Sequence, residues 1–206
     1  MRKSFLLWLI LFFTGSFLFS QTDFRPGYII KNGNDTIKGL IDYKGNKAST
    51  EICLFKYSPE SDAIRFSPDE IKAYRFIDGK YYISKKIDTI GQKSLLFVEF
   101  LIDGVVDIYY YRTSTVDNYL IDKGDGKLIL LDNKDKLVMV DDRQFVRHNK
   151  PYVGVLKYIF MSSPSVSKQV ENISLDHKSL ITLARKYHAE VCTDKECIIY
   201  EKKLPI

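Results

Sequence analysis

The side chains best suited to bind a ligand are tyrosines in two nearby segments. Tyr81 belongs to a pair of tyrosines, and Tyr109, Tyr110 and Tyr111 are consecutive. Successive side chains of a strand point to opposite faces, so Tyr109 and Tyr111 are expected on the same face. Exposed tyrosine rings can stack on sugar rings or cover a protein partner, whereas buried rings pack across strands. We favour cross-strand packing, and keep Tyr81, Tyr109 and Tyr111 as the candidate ligand- or partner-binding residues.

Acid–base or metal chemistry would depend on the histidines, of which the chain has 3. His177 and His188 are separated by about three turns of one predicted helix, which is too far for both to bind one ion. His148 lies in a polar stretch, and we expect all the histidines on the surface. The motifs HExxH, GxSxG, CxxC and the Walker loop do not occur in the sequence. We therefore predict no catalytic residue, no metal site and no cofactor.

The cysteines, also 3 in number, permit a disulfide or a nucleophile. Cys192 and Cys197 are spaced to close a short disulfide across a turn, which an oxidising compartment would favour. Cys192 also follows His188 by one helical turn, and a Cys–His pair could form a nucleophile. We favour the disulfide, or simple burial, over catalysis. Cys53 lies in the apolar run 52–55 and is predicted to be a buried small side chain.

The elements that position these side chains are predicted to be strands joined by tight turns. Asn or Asp followed by Gly tolerates the positive φ angles that two-residue hairpins need. Such pairs separate runs rich in Ile, Val, Leu, Phe and Tyr at Asn32-Gly33, Asp78-Gly79, Asp103-Gly104 and Asp125-Gly126. The pattern predicts an antiparallel meander of roughly eight to ten strands over residues 27–140. We expect a twisted sheet or a partly closed barrel or roll.

The apolar pattern changes to helical spacing near residue 150. Helix starts are indicated by Pro151, by Ser163-Pro164 and by Asp176 as an N-cap. The helical part spans about 151–191, and its apolar stripes must be buried against one face of the sheet or at its end. A short last strand is predicted at Ile198–Tyr200. The predicted fold class is α+β, an antiparallel meander followed by C-terminal helices.

Residues 1–20 have the three parts of a secretory signal peptide. Arg2 and Lys3 precede an apolar run, Phe5–Phe13, and Ser20 offers a small residue for cleavage. The apolar run is shorter than the roughly 20 residues that a spanning helix needs, so we predict cleavage rather than an anchor. The mature protein is then predicted to be a single β-rich domain, 21–206, that does not span the membrane.

Export excludes some classes of partner. Cleavage would remove Arg2 and Lys3 and lower the formal net charge from +5 to +3. That charge is too mild to indicate nucleic acid, which an exported protein rarely meets. We expect the mature protein in the periplasm, associated with the outer membrane, or on the cell surface.

Three segments resemble a group of uncharacterised exported proteins of Gram-negative bacteria. The segments are GYIIKNGNDTIKGLIDY at 27–43, SPDEIKAYRF at 67–76 and LLFVEFLIDGVVDIYYY at 95–111. In some relatives this region precedes an outer-membrane β-barrel. The resemblance implies a compartment and an architecture, and it transfers no catalytic residue.

The sequence therefore predicts a non-catalytic binding or interaction module of the cell envelope, with an envelope protein or a glycan as its partner. The alternatives are a hydrolase whose site is dispersed in sequence, or a small accessory protein associated with the outer membrane. A pocket with converging carboxylates or histidines would favour the hydrolase. A flat tyrosine-lined face or an open sheet edge would favour binding.

Overall fold

The computed structural model describes residues 22–89, 92–133, 136–140, 143–147, 150–192 and 194–200. The predicted signal peptide, residues 1–20, and His148 lie outside the described residues. The described strands are β1 (Phe24–Lys31), β2 (Thr36–Asp42), β3 (Cys53–Lys56), β4 (Ile64–Phe66), β5 (Ile71–Phe76), β6 (Tyr81–Thr89), β7 (Gln92–Asp103), β8 (Asp107–Arg112), β9 (Asp117–Asp122), β10 (Ile129–Leu131), β11 (Lys136–Val140), β12 (Arg143–Arg147) and β13 (Ile198–Ile199). The described helices are α1 (Asn46–Glu51), α2 (Pro151–Ile159), α3 (Pro164–Gln169), a 3-10 turn (Val170–Asn172) and α4 (His177–Val191).

One antiparallel sheet dominates the fold. Its strand order is β10-β9-β8-β7-β6-β5-β1-β2-β3-β4, and β13 joins it by pairing with β7. The predicted α+β class and antiparallel pairing are confirmed, but the sheet is two meanders, β1–β4 and β5–β10, joined where β1 pairs with β5. Among the described residues β10 and β4 are the two ends of the strand order, so the sheet is not a closed barrel. Strands β11 and β12 form a separate two-stranded sheet.

Hairpins form at all the predicted Asx-Gly positions, and Gly126 has the expected positive φ angle, 75°. In the β1–β2 turn the positive φ angle falls on Asn34, at 69°, rather than on glycine. Lys31 N–H donates to the carbonyl of Asp35 at 2.9 Å, so the loop is longer than two residues. Asp78 has the positive φ angle, 55°, in the β5–β6 turn. Asn and Asp adopt positive φ angles more readily than most residues, which explains why Asn34 and Asp78 rather than the adjacent glycines have them.

The sheet has one face covered by the helices, called here the helix-covered face. The predicted helices are confirmed, and their apolar residues share one core with strands β7 to β10. Ser163 caps α3 by accepting the Val166 N–H at 3.2 Å. Asp176 caps α4 by accepting the Ser179 N–H at 2.8 Å. The short helix α1 covers the same face further along, where a second core draws on β1, β2, β3, β5, β6 and β7.

The other face of the sheet, called here the opposite face, has its own apolar cluster. Among the described residues, this cluster draws on strands, on the loop before β10 and on Tyr200, and on no helix. None of the helices in the described part of the chain combines the length and the apolar character required to cross a lipid bilayer.

Candidate ligand-binding site

A row of aromatic and cationic side chains crosses the opposite face at right angles to the strands. The antiparallel register places one residue from each of β1, β5, β6, β7 and β8 side by side, and these residues are Tyr28, Arg75, Tyr81, Phe100 and Tyr109. Such directly opposed side chains are close enough for their rings to touch. Tyr81 and Tyr109 were candidates from the sequence alone. The position of Arg75 between Tyr28 and Tyr81 could not be predicted, because it depends on β1 pairing with β5.

Arg75 is held in this row by aromatic rings. Its guanidinium carbon lies 4.8 Å from the ring centroid of Tyr200 and 5.8 Å from that of Tyr81. The rings of Tyr81 and Tyr200 meet edge to face at 5.1 Å. Cation–π attraction of this kind stabilises a cation without using its hydrogen-bond donors.

The Arg75 guanidinium has no carboxylate partner among the described residues. Its Nε–H group is buried and donates no hydrogen bond to any of the described residues. Half-buried arginines are normally paired with a carboxylate or hydrogen-bonded to a carbonyl, because an unpaired buried N–H is costly. The half-buried Tyr28 and Tyr81 flank it. We call Tyr28, Arg75, Tyr81 and Tyr200 the Arg75 platform.

The three candidate tyrosines differ in exposure. Tyr81 is half-buried, whereas Tyr109 is 2% and Tyr111 is 6% exposed. Tyr109 stacks on Phe100 with ring centroids 4.6 Å apart, and its hydroxyl donates to Asp107 Oδ2 at 3.1 Å. Tyr81 is therefore the candidate that could contact a ligand directly. Tyr109 is buried in the same row and packs against Phe100. A binding role for any of the three stays a prediction.

Burial sets the protonation state of the tyrosines near the platform. Desolvation, with the charge of Asp103 nearby, raises the pKa of Tyr200 to about 12. Desolvation also raises the pKa of Tyr81. Both hydroxyls are therefore neutral at physiological pH and can act as donors, so the only formal charge within the platform is that of Arg75.

A second polar constellation is buried on the helix-covered face. Register pairing aligns one residue from each of β5, β6, β7, β8 and β9, and we call these residues the Glu99 row: Tyr74, Tyr82, Glu99, Tyr110 and Tyr119. Glu99 is 1% exposed, and Lys80 Nζ donates to its Oε2 at 2.8 Å. Lys80 also donates to Asn46 Oδ1 at 3.2 Å, which ties α1 to the row. The sequence signal was visible, since Glu99 interrupts the apolar run 95–102.

His177 closes the Glu99 row at the start of α4. Its Nδ1 lies 2.8 Å from the hydroxyl of Tyr119, and its ring centroid lies 4.5 Å from that of Tyr110. Tyr110 in turn donates to Asp117 Oδ1 at 2.6 Å. Burial, assisted by the positive charge of Lys80, lowers the pKa of His177 to about 4. His177 is therefore neutral at physiological pH.

The Glu99 row can perform little chemistry as it stands. Its carboxylate is neutralised by Lys80 and shielded from solvent. Among the described residues, no three His, Cys, Asp or Glu side chains are grouped so as to hold a metal ion. The row is best described as a hydrogen-bonded support that fixes α1 and α4 on the sheet.

The remaining candidates lie at the end of α4. His188 is 5% exposed, so the expectation of a surface residue is wrong for it. Its Nδ1 accepts the Val105 N–H at 3.1 Å and its Nε2 donates to the Lys195 carbonyl at 2.6 Å, which suits a neutral ring protonated on Nε2. Because both nitrogens are used, His188 is not placed to activate Cys192.

The cysteines are free thiols in the structure. Cys192 Sγ lies 3.4 Å from Asp194 Oδ1, and burial raises the pKa of Cys197. The disulfide between Cys192 and Cys197 is not formed here, and it stays a prediction for the oxidised protein. Cys53 is 1% exposed, as expected, and desolvation raises its pKa, so it is not an activated thiol.

Comparison with known proteins does not indicate a function for this chain. No family model, no curated protein and no solved structure matches the chain. The resemblance to exported envelope proteins therefore stays a prediction.

Proposed function

We propose that this chain is an exported, non-catalytic binding module of the bacterial cell envelope, and that its ligand surface is the Arg75 platform. The N-terminal signal pattern supports export, and the tyrosine-rich sheet face supports binding. The single observation that carries the proposal is the Arg75 guanidinium, which is held between rings without a carboxylate among the described residues. A ligand acid group would supply the partner that the described part of the chain does not.

The ligand class that suits the platform is an acidic glycan. The half-buried ring of Tyr81 offers an apolar face on which a sugar ring can stack. Arg75 presents a planar guanidinium that pairs with a carboxylate or phosphate through two parallel hydrogen bonds. Lys38 lies beside Tyr28 in the register and extends the positive charge along the same row.

Glycan-array binding followed by calorimetry tests the proposal. The array carries acidic and neutral oligosaccharides, and trigalacturonate and maltotriose serve as the titrated pair. We expect binding to acidic members only, and a loss of at least about tenfold in affinity for Arg75→Met, which keeps the packing and removes the fork of donors. Arg185→Met, an exposed arginine on α4, is the matched control and should bind like the parent protein.

Two results would overturn the proposal. One is an array with no signal above background for any acidic oligosaccharide. The other is a folded Arg75→Met variant, with an unchanged circular dichroism spectrum, that binds acidic glycans as tightly as the parent. Tyr81→Ala distinguishes the contribution of the Tyr81 ring from that of Arg75. In this variant the ligand should lose its stacking on the ring and keep its ion pair with Arg75.

A hydrolase is the second candidate function, and one cleft favours it. This cleft has a volume of about 220 Å³ and is lined by Asp117, Tyr119 and Asp132 with apolar residues around them. Carboxylates beside a cleft suit acid–base chemistry. If hydrolysis of a glycan or peptide library is detected, Asp117→Asn should abolish it, and an active Asp117→Asn variant would exclude this cleft as the site.

A further inference from the structure

A separate pocket lies at the other end of the sheet, between α1 and strands β2, β3 and β4. Its volume is about 200 Å³, and its walls include the charged residues Asp42, Lys44, Glu51 and Arg65 and the apolar Leu54. Arg65 and Glu51 are exposed at its rim, whereas Asp42 is 5% exposed. The pocket thus surrounds a buried carboxylate with solvated charges.

The Asp42 carboxylate is only half satisfied. Its Oδ1 accepts the Asp23 N–H at 2.9 Å. Its Oδ2 is buried and receives no hydrogen bond from the described residues. Lys44 Nζ lies 3.3 Å from Oδ2, but the Lys44 side chain is 41% exposed and the contact does not have hydrogen-bond geometry. A buried carboxylate oxygen without a hydrogen bond is strongly stabilised when a cationic group donates a hydrogen bond to it.

We propose that this pocket binds a primary ammonium or guanidinium group carried on a short alkyl chain, with the cation against Asp42 Oδ2. The alkyl chain would lie along Leu54, because long cationic side chains bury their stems on apolar surface. Lys44 marks the place of the cation, since its own ammonium already lies at the carboxylate. The ligand displaces the Lys44 ammonium, which is free to swing into solvent.

This site is distinct from the Arg75 platform in position and in the sign of its charge. The platform offers a cation to an acidic ligand, whereas the pocket offers a carboxylate to a basic one. The same cationic group occurs in free alkylamines and in the lysine side chains of peptides. A lysine peptide requires room at the rim of the pocket for its backbone, whereas a free alkylamine does not, so titration with both distinguishes them.

The experiment is an NMR titration of the mature protein, following the backbone amides of Asp23, Asp42 and Ala48. The probes are pentylamine, its neutral counterpart 1-pentanol, and the peptide acetyl-Gly-Lys-Gly-amide, each added to about 10 mM. We expect saturable shifts with pentylamine and none with pentanol. Saturation by the peptide as well assigns a peptide ligand, and saturation by pentylamine alone assigns a free amine.

Variants separate this proposal from a simple surface ion pair. Asp42→Asn keeps the acceptor for Asp23 and should weaken pentylamine binding by at least about tenfold. Lys44→Met removes the competing ammonium and should tighten binding several-fold. Ala48→Leu narrows the pocket from the exposed side of α1 and should block binding without removing any charge. Asp62→Asn, in an exposed loop, is the matched control for loss of a carboxylate.

The inference is overturned by any of three outcomes. These are the absence of saturable shifts with pentylamine in the parent protein, equal binding by Asp42→Asn, or weaker binding by a folded Lys44→Met variant. The last outcome would mean that Lys44 contributes to the site rather than competing for it.

Discussion

Glu99 is a carboxylate buried at the centre of a row of tyrosines, and Lys80 makes this burial tolerable. Their ion pair measures 2.8 Å, with Lys80 17% and Glu99 1% exposed. A buried charge costs several kcal/mol in desolvation, and the pair recovers this only while both partners are present. The pair is therefore sensitive to the loss of one partner and less sensitive to the loss of both.

Substitution of one partner should be more damaging than substitution of both. We expect Lys80→Met to lower the free energy of unfolding by about 2 to 4 kcal/mol, because it leaves Glu99 buried without its cation. Lys80→Met combined with Glu99→Leu should cost less than Lys80→Met alone, and therefore less than the sum of the two single changes. Urea unfolding measures this double-mutant cycle, and the exposed pair Lys123 and Asp125 provides a control cycle near zero. An additive result would contradict a coupled pair.

His177 makes stability depend on pH. Its pKa falls from the ordinary value of 6.5 to about 4 in the folded chain, mainly through burial. The unfolded chain therefore takes up a proton in this range that the folded chain does not. The stability linked to neutral His177 is fully present above pH 6.5 and is lost as the pH falls towards 4.

Unfolding between pH 7 and pH 4.5 should reveal this effect. We expect His177→Gln to remove about 1 to 2 kcal/mol of the acid-induced loss of stability, a figure reduced for the partial exposure of the ring. Lys178→Gln, at the exposed next position, should keep the parent's pH dependence. Parallel curves for the parent and His177→Gln would show that His177 does not titrate on unfolding.

At the scale of elements, the lengths of the edge strands determine whether a partner can add a strand to the sheet. The sheet ends in β4 and β10, which are only 3 residues each. Short edge strands expose few unpaired backbone groups, which limits strand addition by a partner. This is why we place the ligand on a sheet face rather than at an edge.

Helix α4 depends on its N-cap because its first turn lies on the Glu99 row. We expect Asp176→Ala to lower the free energy of unfolding by about 1 kcal/mol, since the Ser179 N–H would lose its acceptor. Urea unfolding followed by circular dichroism measures the change. Glu60→Ala, in an exposed loop, should be neutral. If the two variants were equally stable, the cap would not contribute.

At the scale of the whole molecule, the last segment ties α4 to the sheet. Strand β13 pairs with the end of β7, and Tyr200 N–H donates to the Leu101 carbonyl at 3.0 Å. Tyr200 thereby reaches the Arg75 platform on the opposite face. The C-terminal segment thus contributes to both faces of the sheet.

The proposed export to an oxidising compartment leads to a prediction about the thiols of Cys192 and Cys197, which lie in this last segment. We expect the protein from an oxidising compartment to carry a disulfide between Cys192 and Cys197, which would add about 2 kcal/mol through the short loop it closes. Intact mass after alkylation, with and without reduction, measures it, and Cys192→Ser serves as the control. Alkylation of both thiols without reduction would contradict the disulfide.

Local patterns in the sequence were sufficient for the class of fold. Asx-Gly pairs specify hairpins because only a few residues tolerate positive φ, and Ser163 and Asp176 specify helix starts because their side chains satisfy the first free N–H groups. These signals act over a few residues, so they can be read from the sequence without the tertiary structure. They placed the candidate tyrosines on strands, but not in relation to one another.

Tertiary structure alone decided the sites. Tyr28, Arg75 and Tyr81 become neighbours because β1 pairs with β5. The paired residues of these strands are 40 to 49 positions apart in the chain, and no local pattern encodes such a contact. The same holds for Lys80 and Glu99, and for Asp42 beneath α1. From the sequence, the fold class, the Asx-Gly hairpins and the C-terminal helices could be predicted, but the short helix α1 could not. Long-range strand pairing determined which charges are buried and which side chains lie next to one another.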